Sequence, residues 1–218
     1  PISDRVYPIP VFSAEEVDEQ KAILTRTENA QPAIGSLSMG MYRILKNAGF
    51  APDFIAGHSF GEWTALWAAG VFDDATYMQL AMARGQAMAA PDDPEFDAGT
   101  MLAVKGDADA ILEAIKAFPE VKAANLNSHN QVVLAGAKDA IAEAQRSLAQ
   151  DGFSVIPLPV SAAFHTPLVA HAQKPFGEAI ANAEVRKPDV PIYSNTTGKP
   201  YPADVKKISK LLNEHMLS

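Results

Sequence analysis

The chain has 218 residues, 48% of them hydrophobic, and a formal net charge of −8 at pH 7. It is long enough and apolar enough to bury a full core, so we expect one domain or a domain with an inserted lobe. The acidic balance argues against nucleic acid as a partner, because phosphates attract clustered Lys and Arg. No apolar run predicts a transmembrane helix or a signal peptide. The chain has no cysteine, which excludes disulfides, thiolate metal sites and a Cys nucleophile, and we expect a cytoplasmic protein.

Hydrophobic periodicity and capping residues predict alternating helices and strands in the first part of the chain. Ser13-Ala14-Glu15-Glu16 has the form of a capping box, in which Ser13 and Glu16 each bond the other's backbone amide. Pro32 stands where a first helical residue is expected, and apolar residues follow it at helical spacing until Gly49. The predicted elements are a helix at 13–27, a helix at 32–48, a strand at 54–56, a helix at 63–69 and a helix that begins at 73 or 74.

From Gly99 to Leu158 the pattern changes to short strands and helices. It predicts strands at 101–104, 121–126, 131–134 and 153–158, and helices at 107–118 and 138–150. The order βαββαβ is typical of a ferredoxin-like arrangement, so we interpret this stretch as a small lobe inserted into a larger α/β domain. The predicted domains are a large subdomain at 1–98 and 159–218 and a small subdomain at 99–158.

The run Gly57-His58-Ser59-Phe60-Gly61-Glu62 lies between a predicted strand and a predicted helix. This is the context of a G-x-S-x-G nucleophile, in which glycines allow a sharp turn that exposes the Ser59 hydroxyl. The backbone N–H of Phe60 at the start of the helix can bind an oxyanion, and the helix dipole favours negative charge there. We therefore predict that Ser59 is an acyl-accepting nucleophile, and the alternative is a flexible turn without chemistry.

A serine nucleophile needs a base, because an unassisted hydroxyl is a poor nucleophile at neutral pH. The candidates are His58, His129, His165, His171 and His215. His58 adjoins Ser59 on the same turn and is more typical of a packed turn residue than of a base. His165 follows a predicted strand end at the carboxyl edge of the large domain, where open α/β sheets bind ligands, and Thr166 and Pro167 then predict a helix start. His165 is therefore either the base or an edge histidine without a catalytic role.

Arg84 lies on the apolar stripe of its predicted helix, with Tyr77, Leu80, Ala81 and Met88. A guanidinium that points in this direction would be buried, and burying a charge is costly unless the charge is paired. Arg84 could extend its head group to the rim or pair with an internal Asp or Glu. The third possibility is that it binds, through two hydrogen bonds, a carboxylate that arrives with the substrate.

Three features together resemble a known family: the motif around Ser59, Arg84 downstream of it, and Ala163-Phe164-His165. They are similar to the acyltransferase domains of malonyl-CoA:acyl carrier protein transacylases and of modular synthases. The likeness covers nearly the whole chain and implies an α/β-hydrolase-like large subdomain with a parallel sheet and an inserted ferredoxin-like small subdomain. The Ser motif and the run Ser3-Asp4-Arg5-Val6-Tyr7-Pro8 are most similar to iterative synthases that make polyunsaturated fatty acids or polyketides.

The resemblance assigns roles to residues by position. It implies that Ser59 is the acylated nucleophile, that His165 is its general base, and that Arg84 binds the free carboxylate of the malonyl group. The amide of Phe60 then belongs to the oxyanion hole, and a backbone carbonyl near His215 orients the catalytic histidine. The residues expected to bind substrate also include Gln31, His58, Asn127, Gln131 and Phe164.

Phe164 bears on the choice of substrate, because in the family the residue before the catalytic histidine shapes the pocket beside the substrate's α-carbon. In family members that use malonyl this residue is a bulky Phe, and in those that use methylmalonyl it is a smaller Ser.

Two family features have no counterpart here, namely an N-terminal Gly-Gln-Gly segment with the second oxyanion amide and a C-terminal strand with a Gly-Pro turn. We therefore expect a piece of a longer protein.

The resemblance implies an acyltransferase that moves a malonyl group from malonyl-CoA to the phosphopantetheine thiol of an acyl carrier protein through an acyl-serine intermediate. It implies no permanently bound cofactor and no metal. The expected partners are the carrier protein and neighbouring domains of a multidomain synthase, with neither nucleic acid nor membrane. Two alternatives stay open: a serine hydrolase of the thioesterase or lipase type, which does not need Arg84 or the lobe, and a non-catalytic docking module.

Overall fold

The computed structural model of the chain describes residues 1–91, 93, 96–160 and 162–215. The elements up to residue 88 are helices α1 (Ser3–Val6), α2 (Ala14–Thr25) and α3 (Thr27–Asn47), strand β1 (Ile55–Ala56), and helices α4 (Phe60–Ala68) and α5 (Asp74–Met88). They are followed by strand β2 (Thr100–Lys105), helix α6 (Ala108–Ala114), a 3₁₀ turn (Ile115–Ala117), strands β3 (Lys122–Ser128) and β4 (Gln131–Gly136), helix α7 (Lys138–Gln150), strand β5 (Ser154–Pro157), a 3₁₀ helix (Pro167–Ala172), helix α8 (Gln173–Ala181), strand β6 (Ile192–Tyr193) and helix α9 (Val205–Glu214).

These elements form two compact units. The first contains residues 1–87 and 172–215, and the second contains residues 88–171. The predicted limits of the small subdomain, 99 and 158, lie inside the second unit, and the division into subdomains at those residues stays a prediction. Within the described ranges, no helix combines the length and the apolar character needed to cross a membrane.

The start of α2 confirms the predicted capping box. The Glu16 N–H donates to Ser13 Oγ at 3.2 Å, and the Ser13 N–H donates to the Glu16 carboxylate at 3.4 Å. The predicted start of the next helix at Pro32 is wrong, because α3 begins at Thr27 and contains Pro32 in its interior. A tertiary contact explains the early start: a Cβ on Gly85 of α5 would lie 2.6 Å from the Thr27 carbonyl oxygen, so α5 packs directly against the first turn of α3.

The apolar residues whose spacing predicts α3 lie on its exposed side. Five of them are more than half exposed: Ile34, Leu37, Met41, Ile44 and Leu45. The buried residues of α3 are Thr27, Gln31, Pro32, Gly35 and Met39. Periodicity therefore predicts this helix but not its buried face, because small and polar residues allow α5 to approach that face closely.

Strands β1 and β6 pair in parallel, with Ile55 opposite Ile192 and Ala56 opposite Tyr193. Parallel strands end at the same edge of a sheet, so the residues after β1 and the residues after β6 lie side by side. Trp63 of α4 packs in the core of this unit. Its ring is stacked with that of Phe72 at 6.0 Å between centroids and meets the ring of Phe176 edge-on at 5.0 Å. This packing fixes α4, which begins one residue after Ser59.

The second unit contains a four-stranded antiparallel sheet in the order β3-β4-β2-β5. Helices α6 and α7 complete the βαββαβ order and confirm the predicted ferredoxin-like arrangement. Alternate residues of the strands lie on the same face of the sheet and form a core with the two helices. This core includes Leu102, Val104, Ile111, Val132, Leu134, Ile141 and Leu148.

The opposite face of this sheet carries the segment that leads to His165. On this face, the strand residues Met101, Ala103, Val133 and Ala135 belong to an apolar cluster that includes Ala163, Phe164 and Leu168 of that segment. The Ala163 N–H donates to the Ala98 carbonyl oxygen at 2.8 Å. Gly99 has a φ of +73°, and a Cβ there would lie 2.6 Å from the Cβ of Ala163. A glycine is therefore required beside Ala163, and the close contact holds the segment against the sheet.

Candidate active site

Ser59 stands on a strained turn between β1 and α4, with φ 52° and ψ −120°. This confirms the predicted strand, turn and helix context. The turn is tight enough that a Cβ on Gly57 would lie 2.1 Å from the carbonyl oxygen of Gly61. No side chain fits at Gly57, so the first glycine of the motif is a steric requirement of the turn.

Ser59 and His165 are the only non-glycine residues with positive φ among those that the structure describes, at 52° and 60°. Such a conformation costs an L-residue about 1–3 kcal/mol and persists only where the surroundings impose it. The two residues that sequence analysis selects as nucleophile and base are thus the two strained ones. This coincidence favours a functional role for both over a flexible turn and an inert edge histidine.

Phe60 is the first residue of α4, so its N–H has no carbonyl partner within the helix. Across the described part of the chain, no group accepts a hydrogen bond from this N–H. The Ser59 N–H, in contrast, donates to the side-chain oxygen of Asn195 at 2.8 Å. Of these two amides at the serine, the one at Phe60 is therefore available to an incoming oxyanion, as the sequence predicts.

Arg84 is buried, with 3% of its surface exposed, on the apolar side of α5. Its Nη1 donates to Gln31 Oε1 at 2.8 Å, and its guanidinium carbon lies 5.9 Å from the centroid of the Phe60 ring. Within the described residues, Arg84 forms no ion pair, and its Nε has no hydrogen-bond partner. Extension to the rim is therefore excluded, and pairing with an internal carboxylate is not observed. A buried cation with an open donor is suited to bind an anion.

Burial lowers the pKa of Arg84 to about 10, and the negative charge of Glu62 acts in the opposite direction. The guanidinium is therefore still charged at neutral pH. Gln31 is itself held by Thr27, since Gln31 Nε2 donates to Thr27 Oγ1 at 2.5 Å. The close approach of α5 at Gly85 brings Arg84 to this first part of α3. Gln31 thus orients Arg84 within the first unit.

Glu62, the last residue of the serine motif, is buried with 1% exposed. Its carboxylate accepts hydrogen bonds from the Tyr201 hydroxyl and, at 2.7 Å, from the Asn195 N–H. Burial raises the pKa of Glu62, and these hydrogen bonds partly offset that increase. His215 Nε2 lies 3.6 Å from Glu62 Oε2, while Trp63 Nε1 donates to His215 Nδ1 at 3.3 Å. The His215 side chain therefore packs against Glu62 and Trp63 of α4. The predicted role of its backbone carbonyl stays a prediction.

His165 belongs to the second unit and is buried, with 8% exposed. The turn around it is held by Thr166, whose hydroxyl donates to the Ala163 carbonyl oxygen at 2.7 Å and accepts from the Leu168 N–H at 3.3 Å. Pro167 begins the 3₁₀ helix, as the sequence predicts. Phe164 is half-buried against the apolar face of the sheet. The turn thus fixes the backbone of Phe164 and His165 together.

The remaining predicted substrate residues lie at strand ends and turns. Asn127 is at the end of β3 and Gln131 at the start of β4, and Asn127 Nδ2 donates to Gln131 Oε1 at 3.4 Å. His58 is exposed on the serine turn. Among the described residues, no group of three or more His, Asp or Glu side chains is placed to hold a metal ion.

The structure thus brings Ser59, Phe60, Arg84 and Gln31 together in the first unit. It places Phe164 and His165 on one turn of the second unit, and their pairing with Ser59 stays a prediction. Sequence reasoning missed Asn195 and the part played by Glu62. Strand β6 has only two residues, too few for a hydrophobic period to predict it. The sequence pattern therefore does not indicate that Asn195, which lies just beyond this strand, contacts the serine turn.

The family profile described as "Acyl transferase domain" matches residues 11–217 of the chain. A component of the polyunsaturated fatty acid synthase of Thraustochytrium sp. is 35% identical and aligns with 100% of this chain, which covers 8% of that protein. The malonyl CoA-acyl carrier protein transacylase of Synechocystis sp. is also 35% identical, over 85% of this chain and 61% of its own length. The chain therefore spans less than two thirds of either relative.

Solved structures give the same result for the fold. The acyltransferase domain from the second module of the salinomycin polyketide synthase has a TM-score of 0.81 at 31% identity, over 99% of this chain and 47% of its own. FabD from Acinetobacter baumannii has a TM-score of 0.82 at 29% identity, over 99% of this chain and 68% of its own. These likenesses confirm the predicted α/β fold with its α/β-hydrolase-like and ferredoxin-like parts. With the profile match over nearly the full length, they establish that the chain belongs to the acyl transferase domain family.

Proposed function

We propose that the chain transfers a malonyl group from malonyl-CoA to the phosphopantetheine thiol of an acyl carrier protein, through a malonyl ester on Ser59. The observation that carries this proposal is Arg84, a buried guanidinium without a carboxylate partner among the described residues, which contacts the ring of Phe60 beside the nucleophile. An acyl group with a free carboxylate supplies the missing partner, whereas an acetyl group or a neutral ester does not.

In the first half-reaction, His165 takes the proton of the Ser59 hydroxyl as its oxygen attacks the thioester carbon. The Phe60 N–H donates to the oxyanion that forms on the carbonyl oxygen. The C–S bond then breaks, and the CoA sulfur leaves with the proton held by His165. In the second half-reaction, the carrier thiol gives its proton to His165 and attacks the ester, and Ser59 regains its proton as it leaves.

The other predicted residues complete this scheme as part of the proposal. Gln31 holds Arg84 towards the malonyl carboxylate, and Phe164 limits the space at the substrate's α-carbon. His58, Asn127 and Gln131 line the path of the thioester, and the His215 carbonyl orients His165. The subdomain limits at 98/99 and 158/159 remain part of the proposal.

The proposed setting is a multidomain synthase, with its carrier protein and neighbouring domains as partners. The similarity to a polyunsaturated fatty acid synthase component and to a polyketide synthase domain supports this setting. No permanently bound cofactor takes part in the proposed reaction, because the acyl group passes only between sulfur and serine oxygen. A cytoplasmic location accords with the proposed use of malonyl-CoA.

Intact-protein mass spectrometry after brief exposure to malonyl-CoA tests the proposal. We expect a stable mass increase of one malonyl group on the parent protein and none on Ser59→Ala, which exchanges one small turn residue for another. Thr197→Ala, in an exposed turn of the same unit, is the matched control and should still form the adduct. An adduct that persists on Ser59→Ala, or a parent that forms none, would overturn the proposal.

A further inference from the structure

The Asn195 side chain spans the turn that carries Ser59. Its Oδ1 accepts from the Ser59 N–H at 2.8 Å, and its Nδ2 donates to the Gly57 carbonyl oxygen at 2.7 Å. An amide is suited to this task because it offers one acceptor and one donor a fixed distance apart. We infer that Asn195 is a positioning residue that holds the nucleophile turn in its strained, reactive conformation. This inference rests on the proposed role of Ser59 as the nucleophile.

The topology explains why Asn195 reaches the turn. It lies two residues after β6, while Gly57 directly follows β1 and Ser59 comes two residues later, and the two strands are parallel neighbours. Parallel strands bring the residues beyond their carboxyl ends to one edge of the sheet. Asn195 therefore contacts the serine turn although the two are far apart in sequence.

Asn195 is itself anchored to the helix that follows the serine. Its backbone N–H donates to Glu62 Oε2 at 2.7 Å, and the other carboxylate oxygen of Glu62 accepts from the Tyr201 hydroxyl. The Tyr201 N–H donates to the Ile192 carbonyl oxygen at 2.7 Å, which returns the chain to β6. Both ends of the serine turn are thus tied to Asn195, the strand side through Gly57 and the helix side through Glu62.

The hydrogen bond to the Ser59 N–H has a second consequence. It satisfies the amide of the residue in the strained conformation and leaves the next amide, that of Phe60, for an oxyanion. Without Asn195, the turn can relax towards an ordinary backbone conformation, and both Ser59 and the Phe60 N–H would move. A misplacement of about 1 Å at a reacting group can cost on the order of 100-fold in rate.

The test measures the reactivity of Ser59 with diisopropyl fluorophosphate, in parallel with malonyl-CoA. In the first reaction an O–P bond forms at Ser59, and fluoride leaves with the serine proton as HF. The variants are Asn195→Ala, which removes both side-chain hydrogen bonds, and Asn195→Asp, which keeps an acceptor for the Ser59 N–H and lacks the donor to Gly57. Thr197→Ala removes a side-chain hydrogen bond to the Lys199 N–H in the same turn and is the matched control.

We expect Asn195→Ala to lower the rate constant of labelling by the fluorophosphate by about 10- to 100-fold while every molecule is still labelled in the end. Asn195→Asp should react at an intermediate rate, and Thr197→Ala at the parental rate. With malonyl-CoA, the same variants should lower kcat much more than they raise KM. The near-isosteric Asn195→Asp keeps the comparison informative if Asn195→Ala folds poorly.

Either of two results in the Asn195 variants would overturn the inference: a parental rate constant in both, or a lower labelled fraction whose rate constant is parental, which marks a merely structural role. A parent that reacts with neither the fluorophosphate nor malonyl-CoA would also overturn it, because Ser59 would then not be a nucleophile. A parent that reacts with the fluorophosphate but not with malonyl-CoA contradicts the proposed function alone. The rates of labelling by the fluorophosphate then still decide the role of Asn195.

Discussion

At the scale of single residues, the proposed function assigns the choice of substrate to Arg84. Burial of a guanidinium without a carboxylate partner is unfavourable for folding, and the lowered pKa of about 10 reflects this cost. The hydrogen bond to Gln31 and the charge of Glu62 offset part of this cost, and a bound anion would offset more of it. Arg84 is therefore better explained by the substrate than by the stability of the free protein.

Replacement of Arg84 by Ala should shift preference from malonyl-CoA towards acetyl-CoA. The carboxylate of malonyl would enter an apolar site without a partner, and the loss of one buried charge-assisted pair is worth about 2–5 kcal/mol. The ratio of kcat/KM values for the two thioesters measures the shift. Arg43→Ala, an exposed arginine paired with Asp74 in the same unit, should leave the ratio unchanged. An equal loss on both thioesters in Arg84→Ala would instead mark Arg84 as structural.

Replacement of Phe164 by Ser should raise the acceptance of methylmalonyl-CoA relative to malonyl-CoA. The removed ring leaves room for the α-methyl group, and one methyl in an apolar pocket is worth about 1–3 kcal/mol, so the ratio should change by about 10- to 200-fold. Phe153→Ser, at a partly buried ring of the helix-covered core, should leave the ratio unchanged. If the parent already uses both thioesters equally, Phe164 does not select the substrate.

Glu62 should make the free energy of unfolding decrease as the pH rises above about 4.5. Because burial raises its pKa above the ordinary 4.5, the unfolded chain releases this proton first as the pH rises, and the folded state loses stability from pH 4.5 upwards. Gln does not titrate. The free energy of unfolding of Glu62→Gln minus that of the parent should therefore increase between pH 4.5 and 7, as measured by denaturant titration. A difference that decreases over this range would show that the folded pKa lies below 4.5.

At the scale of the elements, the two glycines of the serine motif have unequal roles. A Cβ on Gly57 would lie 2.1 Å from the Gly61 carbonyl oxygen, whereas a Cβ on Gly61 meets no atom within 4 Å outside its own helix. The first glycine thus closes the turn between β1 and α4. The second is an ordinary position in the first turn of a helix.

We expect Gly57→Ala to abolish the malonyl adduct and to lower the melting temperature, because the turn must open to admit the methyl group. Gly61→Ala, its matched control, should form the adduct and gain about 0.4–1 kcal/mol in stability from the reduced entropy of the unfolded chain. Thermal unfolding and intact mass measured on both variants check this. Equal behaviour of the two variants would contradict the steric account of the turn.

The sequence predicts an element well when residues within that element determine it, and poorly when contacts with distant parts of the chain determine it. The capping box of α2, helix α7 and the strands of the antiparallel sheet depend on local residues, and they are predicted within a few residues. The start of α3 depends on contact with Gly85, far along the chain, and local reasoning places it wrongly at Pro32. The motif predicts Ser59, and the apolar stripe predicts the burial of Arg84. Asn195 has no local signal, because its role arises only when β1 and β6 pair.

At the scale of the whole molecule, the proposed nucleophile, oxyanion donor and carboxylate receptor lie in one unit of the described chain, and the proposed base lies in the other. A serine hydrolase needs the first two and a base, but not the receptor. The two reactions therefore diverge after the acyl-enzyme has formed, when either water or a thiol attacks the ester. Attack on the ester is therefore the step that best distinguishes a malonyl transferase from a hydrolase.

The most direct measurement is a chase of the isolated, radiolabelled malonyl-enzyme with a phosphopantetheinylated carrier protein or with buffer alone. The account predicts that the label moves rapidly to the carrier thiol, while release of free malonate in buffer is slower by orders of magnitude. Ser59→Ala, treated in the same way, should carry no label to transfer. Release of free malonate at the same rate with and without the carrier would contradict the account and identify the protein as a hydrolase.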